Sequence, residues 1–163
     1  MSRKAIILDR DGVLINNANH YYIWNETQLS FIDGMISNLK ALSDKGYWLF
    51  IVTNQGGIAK GMYRKEDVFS IHERLVQELA PFGVHIKDIM ICPHHDSIER
   101  CLCRKPEALM IERLVARYSL DKANTYFVGD SETDMQAAAR AGIKGIRIEA
   151  NKNMGPYIKG LLK

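Results

Sequence analysis

Short apolar runs occupy residues 5–8, 47–52, 88–92, 125–128 and 145–148. They are nearly continuous rather than alternating, which suits strands covered on both faces, as in a parallel sheet. Between them the apolar residues fall at helical spacing. Met35, Ile36, Leu39 and Leu42 form one stripe, which stops before Gly46. Val68, Ile71, Leu75, Val76 and Leu79 form a second, before Pro81. Ile111, Leu114, Val115 and Tyr118 form a third, with Pro106 expected in its first turn. Ala137, Ala138 and Ala141 lie in a fourth, closed by Gly142 as a C-terminal cap. This alternation predicts an α/β fold with a doubly wound, mainly parallel sheet. Ligands of such sheets bind beyond the carboxyl ends of the strands, where the polar turns after the first, second and fourth runs lie. Two stretches break the pattern, 13–30 and 92–105, and long loops in compact domains carry function or are disordered.

The chain has 163 residues, which predicts a single domain over 1–163. With 47% hydrophobic and 25% charged residues, the composition is that of a soluble globular protein and excludes collagen, coiled coil and wholesale disorder. A net charge of +3 gives no reason to expect nucleic acid as a partner. The run at 5–8 is too short for the core of a signal peptide, and 46–59 is too short and polar to cross a bilayer. A cytoplasmic monomer acting on a small molecule, without membrane or nucleic-acid partners, is therefore the expectation. The three cysteines, Cys92, Cys101 and Cys103, are an odd number in one short window, which argues against a disulfide framework.

The turn after the first strand is Asp9-Arg10-Asp11-Gly12. In extended chain the two carboxylates point the same way and Arg10 points elsewhere. Asp-x-Asp alone is also a solvated turn. Asp130, after the fourth strand, and Asp134 one helical turn later add carboxylates at the same sheet edge, which describes a hard-cation site for Mg²⁺. Asp134 has a second reading as a first-turn acid favoured by the helix dipole. Thr53, Asn54, Gln55 and Gly56 follow the second strand and offer a hydroxyl, carboxamides and free N–H groups to phosphate oxygens; an ordinary Gly-rich turn is the other reading. Arg104 and Lys105 are expected at a helix start, where positive charge needs an anion nearby. Together these parts support phosphoryl transfer: Asp9 as nucleophile, Asp11 as acid and base, Lys105 and Thr53 on the phosphoryl oxygens.

In order along the chain, Ile7-Leu-Asp-Arg-Asp-Gly-Val13, Val52-Thr-Asn54, Lys105 and Gly129-Asp130 through Asp134 resemble the four motifs of the haloacid dehalogenase-like phosphohydrolases. The resemblance implies a Rossmann-like core without a large cap domain. It also implies an aspartyl-phosphate intermediate on Asp9, and Mg²⁺ on Asp9, Asp130 and the Asp11 main-chain carbonyl. One departure is Val13, where the family usually has Thr.

Cys92-x-His94 and Cys101-x-Cys103 supply three thiolates and an imidazole, a set suited to a tetrahedral, structural Zn²⁺ pinning residues 92–105. His95 is the rival for His94, and small buried hydrophobes or a reactive thiol are the non-metal readings. His72 and His85 read as surface residues. The loop is similar to that of the zinc-containing subgroup, which includes D-glycero-D-manno-heptose 1,7-bisphosphate phosphatases and histidinol-phosphate phosphatases. Asn54 through Gly61, Cys92 through His95, and Asn19-His20-Tyr21-Tyr22 are more like the heptose enzymes. That resemblance implies a sugar bisphosphate cut at its 7-phosphate and contacted by Asn19, His20, Tyr21, Tyr22, Thr53, Asn54, Gln55, Gly56 and Arg104. Histidinol phosphate is the alternative substrate. A polynucleotide 3′-phosphatase would need a basic, aromatic-laced groove, which the sequence lacks. A non-catalytic phosphate-sensing domain would not need Asp11.

Overall fold

A computed structural model describes residues 2–163. Strands β1 (Arg3–Leu8), β2 (Trp48–Asn54), β3 (Ile86–Cys92), β4 (Leu120–Gly129) and β5 (Lys144–Arg147) form one parallel sheet in the order β3-β2-β1-β4-β5. The helices between them are α1 (Met35–Asp44), α2 (Lys65–Leu79), α3 (Leu109–Tyr118), α4 (Glu132–Ala141) and the short α5 (Gly155–Ile158). The chain starts in the middle of the sheet and winds outward in both directions, so the strand order reverses at β1. Topology of this kind opens a crevice beyond the carboxyl ends of β1 and its two neighbours.

Alternate residues of each strand feed two cores. Ile6, Leu8, Leu49 and Ile51 face α1, α2 and α5 through Leu39, Leu42, Ile71, Leu75 and Ile158. Ala5, Ile7, Phe50, Val52 and Phe127 face α3 and α4 through Ile111, Leu114, Ala137 and Ala138. All of these are at most 1% exposed, which explains why the strands read as continuous apolar runs. Burial of each Ile or Leu contributes about 1.5–3 kcal/mol.

Each expected element is present, with two adjustments. β4 begins at Leu120 rather than near Thr125, because its first residues pair with Arg3 of β1. Pro106 is not in the first turn of α3, which starts at Leu109; Arg104, Lys105 and Pro106 form the loop before it. Gly142 caps α4 with a left-handed φ of 74°. The stretch 13–30 is irregular but packed: Val13, Leu14, Ile15 and Ile23 are fully buried, and Ile15 bridges to Asp11 and Phe31. Among the described residues, no helix is long and apolar enough to cross a membrane.

Candidate active site

The sheet delivers the acidic residues to one place. The Asp9 N–H donates to the Val128 carbonyl at 3.0 Å, so Asp9 leaves β1 beside the end of β4. The chain then turns at Gly12, whose φ is +84°. A Cβ there would run into the Asp130 carboxylate, so glycine is required by both conformation and space. One oxygen from each of Asp9, Asp130 and Asp134 lies within 4.8 Å of the others.

Lys105 enters this cluster from the other side. It is 4% exposed, and its Nζ lies 2.9 Å from Asp9 Oδ1, 2.7 Å from Asp134 Oδ1 and 3.2 Å from the Val52 carbonyl. A buried ammonium needs such partners. Asn54 sets its position: its carboxamide oxygen accepts from the Lys105 N–H (3.0 Å) and its amide donates to the Lys105 carbonyl (3.2 Å). Asp134 serves two neighbours. Its Oδ2 accepts from the Ser131 N–H in a capping box at the start of α4, which leaves Oδ1 for Lys105. Asp134 is thus the first-turn acid of α4, as one sequence reading has it, and a partner of Lys105.

The charges do not balance within the cluster. Asp9, Asp130 and Asp134 carry three negative charges when ionised and Lys105 carries one positive charge, which leaves two negative charges. Burial, with smaller contributions from Asp134 and Asp11, pushes the Asp9 carboxyl up to about 8 against the pull of Lys105. Burial and Asp134 also raise Asp130. A divalent cation is the charge that this set of hard oxygen donors fits. With Asp134 engaged by Lys105 and by its own helix, Asp9 and Asp130 are the carboxylates available to hold it.

Asp11 belongs to a separate network. Arg10 does not point away from its neighbours, as extended chain geometry suggests. Its side chain is fully buried and turns back, with Nε 2.9 Å from Asp11 Oδ1 and Nη2 3.0 Å from Asp11 Oδ2. Gln55 Nε2 donates to Asp11 Oδ2 (3.2 Å) and to the Thr53 hydroxyl (2.8 Å), and Tyr63 donates to Gln55 Oε1 (2.8 Å). His72 is also buried rather than on the surface, with its Nε2 3.4 Å from Arg10 Nη1. The sequence held a signal for this, since Val68, His72, Leu75 and Leu79 share a helical stripe.

An open cavity of about 200 Å³ lies over these groups. Asp9, Asp11, Asn54, Gly56, Arg104, Lys105, Asp130, Asp134, Tyr21 and Tyr22 line it, as does His95. Asn19 and His20 are exposed and lie outside its lining; Asn17, Ser131 and Thr133, which the sequence reading passed over, are part of it. Thr53 and Gln55 are each 1% exposed and lie behind the wall. The Arg104 guanidinium is tethered at the rim by the His94 carbonyl (3.1 Å) and by Asp96 (3.6 Å).

Cys92, His94, Cys101 and Cys103 converge beside the cavity, with one ligand atom from each within 4.8 Å of the others. Cys92 and Cys101 sulfurs are 3.7 Å apart, and His94 Nδ1 lies 3.2 Å from the Cys103 sulfur. A tetrahedron with Zn–S bonds near 2.3 Å has edges of about 3.8 Å; the Cys92–Cys101 edge matches, the Cys92–Cys103 edge is shorter at 3.0 Å, and three thiols with an imidazole are the donor chemistry that fits Zn²⁺. His94 Nε2 lies 3.6 Å from Glu99, an outer partner for the ring. His95 instead turns its Nδ1 to Ser97 at 2.7 Å, away from the thiols.

A family model described as HAD-hydrolase-like matches residues 102–157. The D-glycero-beta-D-manno-heptose-1,7-bisphosphate 7-phosphatase of Rhodopseudomonas palustris is 36% identical over 166 residues, covering 98% of this chain and 91% of that one. The D-glycero-alpha-D-manno-heptose-1,7-bisphosphate 7-phosphatase of Campylobacter jejuni is 36% identical over 160 residues, covering 98% and 90%. The crystal structure of D,D-heptose 1,7-bisphosphate phosphatase from B. bronchiseptica, complexed with magnesium and phosphate, superposes with a TM-score of 0.84 at 30% identity, covering 96% of this chain and 86% of that one. With acidic turns at the ends of β1 and β4, a buried lysine between them and relatives similar over nearly its whole length, this chain belongs to the haloacid dehalogenase-like phosphatases, in the family of the heptose-1,7-bisphosphate 7-phosphatases.

Proposed function

We propose that this chain, as a single domain, is a Mg²⁺-dependent phosphatase that removes the 7-phosphate of D-glycero-D-manno-heptose 1,7-bisphosphate. The observation that carries the reaction is the uncompensated pair of negative charges around Asp9, beside the buried Lys105 ammonium. The substrate is supported by the names of the relatives and by Arg104 in the lining of the cavity, a guanidinium suited to a second phosphate.

In the first step an Asp9 oxygen attacks phosphorus. The bond from phosphorus to the sugar oxygen breaks, and Asp11 gives its proton to that oxygen. In the second step water attacks the aspartyl phosphate, passes a proton to Asp11, and the bond from phosphorus to Asp9 breaks. Lys105, held on its two carboxylates, faces the charge that develops on the phosphoryl oxygens, and the Thr53 hydroxyl is oriented by Gln55. Mg²⁺ on Asp9, Asp130 and the Asp11 carbonyl would neutralise charge on the transferring group. Zn²⁺ on Cys92, His94, Cys101 and Cys103 would be structural, since four protein ligands leave no open position. Asn54 contributes by holding Lys105 as well as by lining the cavity.

Phosphate release from both anomers of heptose 1,7-bisphosphate, with histidinol phosphate as the comparison, tests the substrate. Release from the heptose at a rate well above histidinol phosphate is expected; trivial rates on all three overturn it. Asp9→Asn is expected to abolish turnover, and Mg²⁺-dependent turnover that survives Asp9→Asn and Asp11→Ala would overturn the catalytic assignment.

A further inference from the structure

Arg10 is among the largest fully buried side chains of the described residues, and nothing in the phosphoryl chemistry requires a cation behind Asp11. Its guanidinium is fastened at the back and presents its fork at the front. At the back, Nη2 donates to the Ile23 carbonyl at 2.7 Å and Nη1 lies 3.4 Å from His72 Nε2 on α2. At the front, Nε and Nη2 take both oxygens of Asp11. Burial, reinforced by Arg10 itself, holds the His72 imidazole well below its ordinary range, to about 3. A neutral imidazole accepts a hydrogen bond from the guanidinium instead of repelling it. Gln55 braces the Asp11 carboxylate from a different side and is itself held by Tyr63.

A carboxylate gripped through one oxygen can still swing about its Cβ–Cγ bond. One gripped through both oxygens by a planar fork is fixed in its plane as well as its position. Asp11 nevertheless keeps an opening to the cavity, since its side chain is 19% exposed while that of Arg10 is 0%. The network thus freezes the orientation of a group that remains accessible to substrate, and it connects that orientation to α2.

We propose that Arg10 is a positioning residue for the reaction: anchored by His72 and the Ile23 carbonyl, it fixes the plane of the Asp11 carboxylate for proton transfer to and from the reacting oxygens. This rests on the phosphatase reading above, but not on the identity of the sugar.

The test compares esters that differ in their need for a proton. An alkyl phosphate leaves as a strongly basic alkoxide and needs Asp11; 4-nitrophenyl phosphate leaves as a stable phenolate and does not. General acid–base assistance is worth about 10²–10⁴-fold, so partial misplacement in Arg10→Lys is expected to cost about 10–100-fold in kcat on the alkyl ester, with KM within about twofold. The burst of nitrophenolate that reports phosphorylation of Asp9 is expected to fall by less than about threefold, and the phosphoenzyme to accumulate, read by intact mass, because its hydrolysis needs Asp11 as base. Equal losses in the rate at which the two esters phosphorylate Asp9, or no loss in a folded variant, overturn the proposal. Should Arg10→Lys not fold, His72→Ala keeps the Arg10–Asp11 bonds and carries the comparison. A loss of about 3–10-fold in the rate of Asp9 phosphorylation, confined to the alkyl ester, is then expected, and a uniform loss in that rate or none overturns it. If heptose bisphosphate is not a substrate, the comparison runs on whichever alkyl phosphate is turned over, so that the substrate assignment falls alone. A chain that releases no phosphate from any ester in the presence of Mg²⁺ overturns both readings.

Discussion

Mg²⁺ binding to this chain is expected to expel a proton, because the metal and the proton compete for Asp9. Without a metal ion beside it, burial holds the Asp9 carboxyl at about 8 against the pull of Lys105. At pH 7 the group is then mostly protonated, so each bound Mg²⁺ releases about one proton from it. The apparent affinity follows the ionised fraction. It rises about tenfold per pH unit well below pH 8 and flattens above it, a gain of about 50-fold between pH 6 and pH 8. The same shift fixes the sign of the stability change. The folded value lies above the ordinary 3.8, so the contribution of Asp9 is present in full below about pH 4 and is lost as pH rises through about 8. Metal-free protein is therefore expected to melt lower at pH 8 than at pH 6, as far as Asp9 is concerned, and Mg²⁺ to recover the loss. Calorimetric titration of Mg²⁺ in buffers of different ionisation enthalpy counts the protons directly. No proton release at pH 7, with an affinity independent of pH from 6 to 8, would refute the argument that Asp9 is a buried carboxyl awaiting a divalent charge.

Three further outcomes follow from the geometry. Lys105→Met removes the partner of the buried Asp134 and of Asp9 together; loss of one side of a buried pair costs about 3–5 kcal/mol, readable by denaturant unfolding, and turnover is expected to disappear with it. Cys101→Ser is expected to take bound zinc from about one per chain to near zero by elemental analysis, and to lower the melting temperature by about 5–10 °C. Arg104→Ala is expected to raise KM for the sugar bisphosphate about 10–100-fold while changing KM for a small monophosphate by less than about threefold, if the Arg104 guanidinium binds the second phosphate as proposed. Equal changes on both substrates would remove Arg104 from that role.

The parts of the site that sit at strand ends were legible without coordinates. Asp9, Thr53, Asn54 and Asp130 each follow an apolar run directly, and a parallel sheet leaves those ends only one edge to share. The convergence of Cys92, His94, Cys101 and Cys103 was legible because thiols and imidazole are rare side chains crowded into one loop. Arg10 and His72 were not, because their meaning depends on distance in space. A charged residue inside an acidic turn reads as solvated until a buried histidine and a main-chain carbonyl are seen to receive it. The first loop shows the same limit. Irregular backbone has no period, so nothing in 13–30 said that Asn17 faces the cavity while Asn19 and His20 face solvent. Pro106 misled for a related reason: helices often begin with proline, but here α3 waits until Leu109.

The two bonds from Asn54 to the Lys105 peptide have a consequence for how this site can change over time. They fasten Lys105 to the end of β2 as well as to the segment that leads up to it. Residues 96–100 form an exposed festoon whose two ends, His94 and Cys101, both belong to the Cys/His cluster, with the pegged Lys105 peptide just beyond. Insertions, deletions and substitutions at 96–100 are therefore expected to reshape the surroundings of Arg104, which Asp96 tethers, without shifting Lys105. Selectivity and chemistry are mechanically uncoupled, and a new specificity is best sought in that festoon.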